Sequence, residues 1–114
     1  MKISVERPRE DQVVVQLNGQ LDVDSSVHLK ERLKSIAAEG TMLIVIDFQD
    51  VDFVDSSGLS ALVSGLKAVR QRGGAIHLSR LQHQALTALR LTMLDRVFPI
   101  YPTISQALRE GDFG

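Results

Sequence analysis

Apolar and polar residues alternate from Ile3 to Arg7, and a β-branched run, Val13-Val14-Val15-Gln16-Leu17, follows shortly after. Both patterns predict strands, joined as a hairpin through Pro8 to Asp11. Asn18-Gly19 reads as the turn that closes the second strand. The period then lengthens. Leu29, Leu33, Ile36 and Ala37 recur on one helical face, with N-caps on offer at Asp24-Ser25-Ser26 and Gly40 placed to stop the helix. Met42 to Phe48 is short, apolar and rich in β-branched residues, the pattern of a strand buried on both faces. A separate apolar cluster follows at Val51, Phe53 and Val54.

From Ser57 the period is helical again, with Leu59, Leu62, Val63, Leu66 and Val69 in one stripe. Lys67, Arg70 and Arg72 lie near its end, where cations suit the helix dipole, and Gly73-Gly74 stops it. Ala75 to Leu78 reads as a strand and Gln82 to Leu91 as a helix with Ala85, Leu86 and Leu89 inward. Val97 to Tyr101 reads as a short strand closed by Pro102. Thr103 and Gln106 stand at capping-box spacing ahead of a last helix with Ile104, Ala107 and Leu108 inward. The order β-β-α-β-α-β-α-β-α predicts an α/β fold: a mixed, largely parallel sheet of about five strands with about four helices. No linker or repeat divides the chain, so residues 1–114 are expected to form a single domain.

Composition narrows the function. Thirteen basic residues against fourteen acidic ones give a net charge of −1, without the basic excess that nucleic-acid binding requires. Tyr101 is the one tyrosine and there is no tryptophan, which removes a base-stacking platform. The absence of cysteine excludes disulfides and thiolate metal sites. No apolar h-region follows Met1, and the longest apolar run, Met42 to Ile46, is far too short to span a bilayer. A cytoplasmic protein, with neither nucleic acid nor membrane as partner, is expected.

One segment carries candidate chemistry: Asp55-Ser56-Ser57-Gly58-Leu59, between an apolar cluster and a helix. A helix N-terminus presents unpaired N–H groups and the positive end of a dipole, so a phosphate on Ser56 would be well placed there. The plainer reading is that Asp55 or Ser56 caps the helix. Asp47, Asp50, Asp52 and Asp55 fail as a calcium loop, because Asp55 stands where such a loop needs glycine and Ala61 where it needs glutamate. They read as solvated loop acids. Ser56 has Val54 two residues before it where a nucleophile elbow needs glycine, and His28, His77 and His83 are scattered. No phosphate-binding glycine loop is present. No enzyme activity and no cofactor are expected.

Two motifs, Leu17-Asn18-Gly19-Gln20-Leu21-Asp22 and Val54-Asp55-Ser56-Ser57-Gly58-Leu59, give the chain a resemblance to the stand-alone STAS domains of bacterial anti-sigma factor antagonists. Gln71-Arg72-Gly73-Gly74 and the closing strand–helix unit extend it over nearly the whole chain. The resemblance implies phosphorylation at Ser56, with Gln20, Asp22, Asp24, Asp55, Ser57 and Gly58 engaging the partner. That partner would be an anti-sigma factor that is also a serine kinase of the histidine-kinase-like ATPase type. Its phosphorylation of Ser56 would end the complex, and a serine phosphatase would reverse it. The free protein is expected to be a monomer. Other STAS proteins serve instead as subunits of lipid-transport ABC complexes or as scaffolds of stress-signalling complexes, and neither role needs a phosphoserine.

Overall fold

The computed structural model describes residues 1–110, and positions 111–114 of the expected single domain lie outside the described residues. Two strands, β1 (Lys2–Arg9) and β2 (Gln12–Leu21), form the predicted antiparallel hairpin, with Val5 opposite Val15. The chain crosses through helix α1 (Val23–Ala38) to β3 (Leu43–Val54), which runs parallel to β2. Helix α2 (Ser56–Arg70), β4 (Ala75–Ser79), helix α3 (His83–Leu91), β5 (Ile100–Tyr101) and helix α4 (Ile104–Glu110) complete it. The sheet order is β1-β2-β3-β4-β5, parallel except at β1. This is the mixed, largely parallel α/β architecture that the pattern predicts.

The alternation of side chains along each strand sorts two cores. Val13, Val15 and Leu17 of β2, Ile44, Ile46 and Phe48 of β3, and Ile76 and Leu78 of β4 join Leu29, Leu33, Leu62, Leu66 and Leu89 from the helices. Val14, Leu43 and Val45 face the other way, onto Ala107 of α4. Burial on both faces is why these strands read as unbroken apolar runs. Each fully buried Leu, Ile or Phe contributes about 1.5–3 kcal/mol against its exposed state, so the larger core dominates the stability.

Four boundaries differ from the sequence reading. Asn18-Gly19 is not a turn: β2 continues to Leu21, with Gly19 at φ +124° and register shifts on both sides of the pair. Each shift sets one more residue on β3 than on β2, so the bulges lie in β3, while Gly19 stays in the ladder opposite Val51 at a positive φ that glycine adopts freely. The bulges let the predicted Met42–Phe48 strand, which starts at Leu43, run on through the Val51–Val54 cluster as one strand, β3. Helix α1 begins at Val23, capped by Asp22 rather than by Asp24, Ser25 or Ser26. The last strand shrinks to Ile100–Tyr101, because Leu94–Arg96 forms a 3₁₀ turn that delivers Phe98 into the core.

Asp47 is also misplaced by the solvated-loop reading. It lies inside β3, 4 % exposed, and both of its oxygens accept from Arg80: Nε at 3.0 Å and Nη2 at 2.5 Å. A buried carboxylate needs such a bidentate partner to offset desolvation. Asp50 and Asp52 are exposed, as expected of solvated acids, but they lie in β3 rather than in a loop. His77, in β4, is buried with Nδ1 2.9 Å from the Ala107 carbonyl.

Helices α1 and α2 cross where Gly65 meets Leu33. A Cβ on Gly65 would lie 2.5 Å from Leu33 Cδ1 and 2.9 Å from Leu33 Cβ. Gly65→Ala gains about 1 kcal/mol of helix propensity but overpacks a filled interface at about 1–3 kcal/mol. A net loss of stability is expected in urea unfolding, and a stabilised variant would contradict the close-packed crossing.

Candidate functional site

The parallel pairing of β2 with β3 ends at Leu21 opposite Val54. One residue later each chain segment turns into a helix, Asp22 capping α1 and Asp55 capping α2. Adjacent strands lie about 4.8 Å apart, so the register brings two helix N-termini side by side at the carboxyl end of the sheet. Clefts of open α/β sheets form at such ends, where loops and helix N-termini converge.

Asp22 closes a capping box. Its Oδ1 accepts from the backbone N–H groups of Asp24 and Ser25, each at 3.1 Å, while Ser25 Oγ accepts from the Asp22 N–H at 2.9 Å. Ser25 Oγ also donates to the Gln20 carbonyl at 2.7 Å, joining the end of β2 to the first turn of α1. The Ser25 backbone N–H is the chief cause holding the Asp22 carboxyl below its ordinary range.

Asp55 makes the matching cap on α2, where its Oδ1 accepts from the Gly58 N–H at 3.0 Å. Its own N–H donates to the Leu21 carbonyl at 3.1 Å, tying the second helix start to the first strand end. Gly58 is buried against that same strand: a Cβ would stand 2.6 Å from Leu21 Cγ and 2.8 Å from the Leu21 oxygen. The close approach of the helix start to Leu21 depends on the missing side chain at Gly58.

Ser56 is the first residue of α2 and is exposed; Ser57 is half-buried. No acidic residue occupies the first turn of α2, so its N–H groups and dipole face outward beside Ser56 without a second carboxylate. Ser56 opens a groove of about 430 Å³ along α2, lined further by Leu59, Val63, Lys67, Thr92 and Leu94. Gln20, Asp22 and Asp24 share a hollow of about 500 Å³ with Ser25 and His28. The fold therefore gathers Gln20, Asp22, Asp24, Asp55 and Ser56 at one end of the sheet. Among the described residues no group of three His, Cys, Asp or Glu side chains could hold a metal ion.

The sequence reading missed Gln84, whose side-chain amide bonds both the N–H and the carbonyl of Val54. It also missed Leu91 and Met93, exposed apolar residues on either side of Thr92, with Met93 at a left-handed φ of 61°. Helical periodicity marks inward positions, and these three carry no such signal.

The model of the STAS domain family matches residues 2–107 of this chain. The chain belongs to the STAS domain family. It is 31 % identical over 101 residues to the anti-sigma-B factor antagonist of Bacillus subtilis, covering 88 % of this chain and 92 % of that one. Its structure is similar to that of an anti-sigma factor antagonist from Mycobacterium paratuberculosis, with TM-score 0.85, 26 % identity, and 96 % and 92 % of the two chains covered. The phosphorylated form of the Bacillus cell fate determinant SpoIIAA shares the fold, with TM-score 0.75 and 18 % identity over 96 % of this chain and 98 % of that one. No helix among the described residues is long and apolar enough to cross a membrane.

Two measurements check the caps. Asp55→Ala removes the acceptor for the Gly58 N–H and is expected to cost about 1 kcal/mol in urea unfolding. Asp22, with its pKa depressed in the folded chain, stabilises above its unfolded value of about 3.9; that contribution is lost as pH falls through the folded value. Asp22→Asn keeps an acceptor and removes the titration, so stability measured between about pH 2 and 5 should fall less steeply in the variant. An unchanged slope would show that the Asp22 charge is not coupled to folding.

Proposed function

We propose that this protein is an anti-sigma factor antagonist worked by a phosphorylation-controlled partner switch, with Ser56 as the phosphoacceptor. The unphosphorylated chain binds an anti-sigma factor that is also a serine kinase of the histidine-kinase-like ATPase type, and the sigma factor is freed. The kinase then modifies Ser56, the complex separates, and a serine phosphatase restores the binding form. The role is regulatory rather than enzymatic.

The observation that carries this reading is the exposed Ser56 hydroxyl on the first residue of α2, directly after the Asp55 cap. A kinase can reach it without opening the core. In the transfer, Ser56 Oγ bonds to the γ-phosphorus of ATP as the bond from that phosphorus to the ADP oxygen breaks, and the hydroxyl proton passes to a base on the kinase. The antagonist names of the relatives and the phosphorylated form of SpoIIAA support the same role.

The charge change is large enough to work as a switch. A phosphoserine carries about −1.5 to −2 charges at neutral pH. One such charge about 6 Å from an acidic group, at an effective dielectric of ~20, costs roughly 2.8 kcal/mol. That corresponds to about a hundredfold in affinity. Asp22 and Asp55 already make this surface acidic, and carboxylates of a docked kinase would add to the repulsion.

Incubation with the cognate ATPase kinase and Mg-ATP, followed by phosphosite mapping by mass spectrometry, tests the assignment. Phosphate is expected on Ser56. Ser56→Ala should fold normally, bind the kinase and resist ATP-driven release, while Ser56→Asp should bind at least about tenfold more weakly, one carboxylate only partly matching a phosphate. Equal affinities of Ser56→Asp and Ser56→Ala would defeat the charge argument. Release of Ser56→Ala by ATP would defeat the phosphoacceptor assignment.

A further inference from the structure

Strand β3 outruns its neighbour. Strand β4 pairs with it only from Leu43 opposite Ala75 to Asp47 opposite Ser79, yet β3 continues to Val54. Beyond Asp47 its β2 side stays laddered to Leu21, and among the described residues no strand lies on its other side. Val54 is 3 % exposed, and buried backbone groups need partners.

Two glutamines of the α3 start supply them. Gln84 Oε1 accepts from the Val54 N–H at 2.8 Å, and Gln84 Nε2 donates to the Val54 carbonyl at 2.9 Å. Gln82, the residue before α3, donates from Nε2 to the Gln49 carbonyl at 2.7 Å. A primary amide carries a donor and an acceptor side by side. Gln84 thus exchanges two hydrogen bonds with Val54, as the bonded pair of an antiparallel ladder does. Its side chain serves as one residue of an absent strand.

The placement of this pair matters because Val54 precedes Asp55 and Ser56 directly. Val54 is gripped from α3, and Asp55 is gripped from β2 through the Leu21 carbonyl. Those two holds, on opposite sides of the strand end, set where α2 starts. We propose that Gln84 is a positioning residue for phosphoryl transfer: by completing the edge of β3 at Val54 it fixes where the Ser56 hydroxyl is presented to the kinase. This rests on Ser56 being the phosphoacceptor. The hydrogen bonds of the Gln84 amide go to the Val54 backbone, so its effect on Ser56 comes through the backbone. Misplacing a reacting atom by about 1 Å can cost a hundredfold in rate, whereas docking a broad surface is far more tolerant.

The test compares the wild-type chain with Gln84→Met, which fills similar space without the amide, and with Gln82→Ala. Amide hydrogen exchange at Val54 and Gly58 reads the hold without any kinase. Single-turnover phosphorylation of Ser56 and the affinity for the kinase read its consequence. In Gln84→Met, exchange at Val54 should rise about tenfold, transfer should slow about tenfold, and affinity should stay within about twofold. Gln82→Ala should leave the transfer rate unchanged. If Gln84→Met does not fold, Gln84→Ala takes its place, since it too removes both the acceptor for the Val54 N–H and the donor to the Val54 carbonyl. Unchanged exchange at Val54 would show that the amide does not hold the strand; faster exchange with an unchanged rate would show that the hold does not position Ser56. Either result overturns the proposal. A wild-type chain that takes no phosphate on Ser56 refutes the phosphoacceptor reading first, and the proposal falls with it, while exchange at Val54 still reports whether the hold exists.

Discussion

The last rung of the β2–β3 ladder, Leu21 opposite Val54, is the constraint on which the rest of the site depends. Parallel strands end together, so the residues after them start two helices from neighbouring positions. The Asp55 N–H bond to the Leu21 carbonyl and the contact of Gly58 with Leu21 then lock the second helix start onto the end of the first strand. Neither lock tolerates much change, because one partner in each is backbone. The sheet itself is held by apolar burial on both faces, which leaves its carboxyl end free to carry polar groups at modest cost to stability.

The electrostatics of that end favour a group that is welcome to its own chain and unwelcome to a neighbour. A phosphate at the first position of α2 meets outward backbone N–H groups and the positive end of the helix dipole, a pairing worth about 0.3–1 kcal/mol near a surface. Seen from outside, the same group adds to a rim that already holds Asp22, Asp24 and Asp55. On the proposed switch, partner affinity would therefore change about a hundredfold while the sheet and its helices stay as they are. Bistability would reside in the complex rather than in the fold.

Much of this was legible in the chain. The β-branched runs at Val13–Leu17 and Met42–Phe48 and the stripe from Leu59 to Val69 announce strands and helix because burial selects their residues directly. The reading failed where local and tertiary demands diverge. Gly19 looked like a turn residue because its backbone freedom is needed, yet it uses that freedom inside β2, paired with Val51 between the two bulges of β3. The same register shifts move the inward positions of β3 from Phe48 to Val51 and Val54, breaking the alternation that would have joined the two pieces. Asp47 looked solvated because its partner, Arg80, lies 33 positions away. At the site, the serine and both aspartates were visible as motif residues, and Asp55 was legible as a cap of α2, but Asp22 as the cap of α1 was not. Gln84 was invisible, since a polar side chain that substitutes for a strand leaves no periodic trace.

The two borders of the sheet have a further consequence. Strand β1 forms one margin and carries Lys2, Glu6, Arg7 and Arg9, with Pro8 unable to donate; β5 forms the other and is only Ile100–Tyr101. Charge and proline on one margin and brevity on the other deny an incoming polypeptide a template to extend. Under the proposed switch, loop and helix-end surfaces could then meet successive companions while the sheet margins do not invite copies of the chain to stack into fibres.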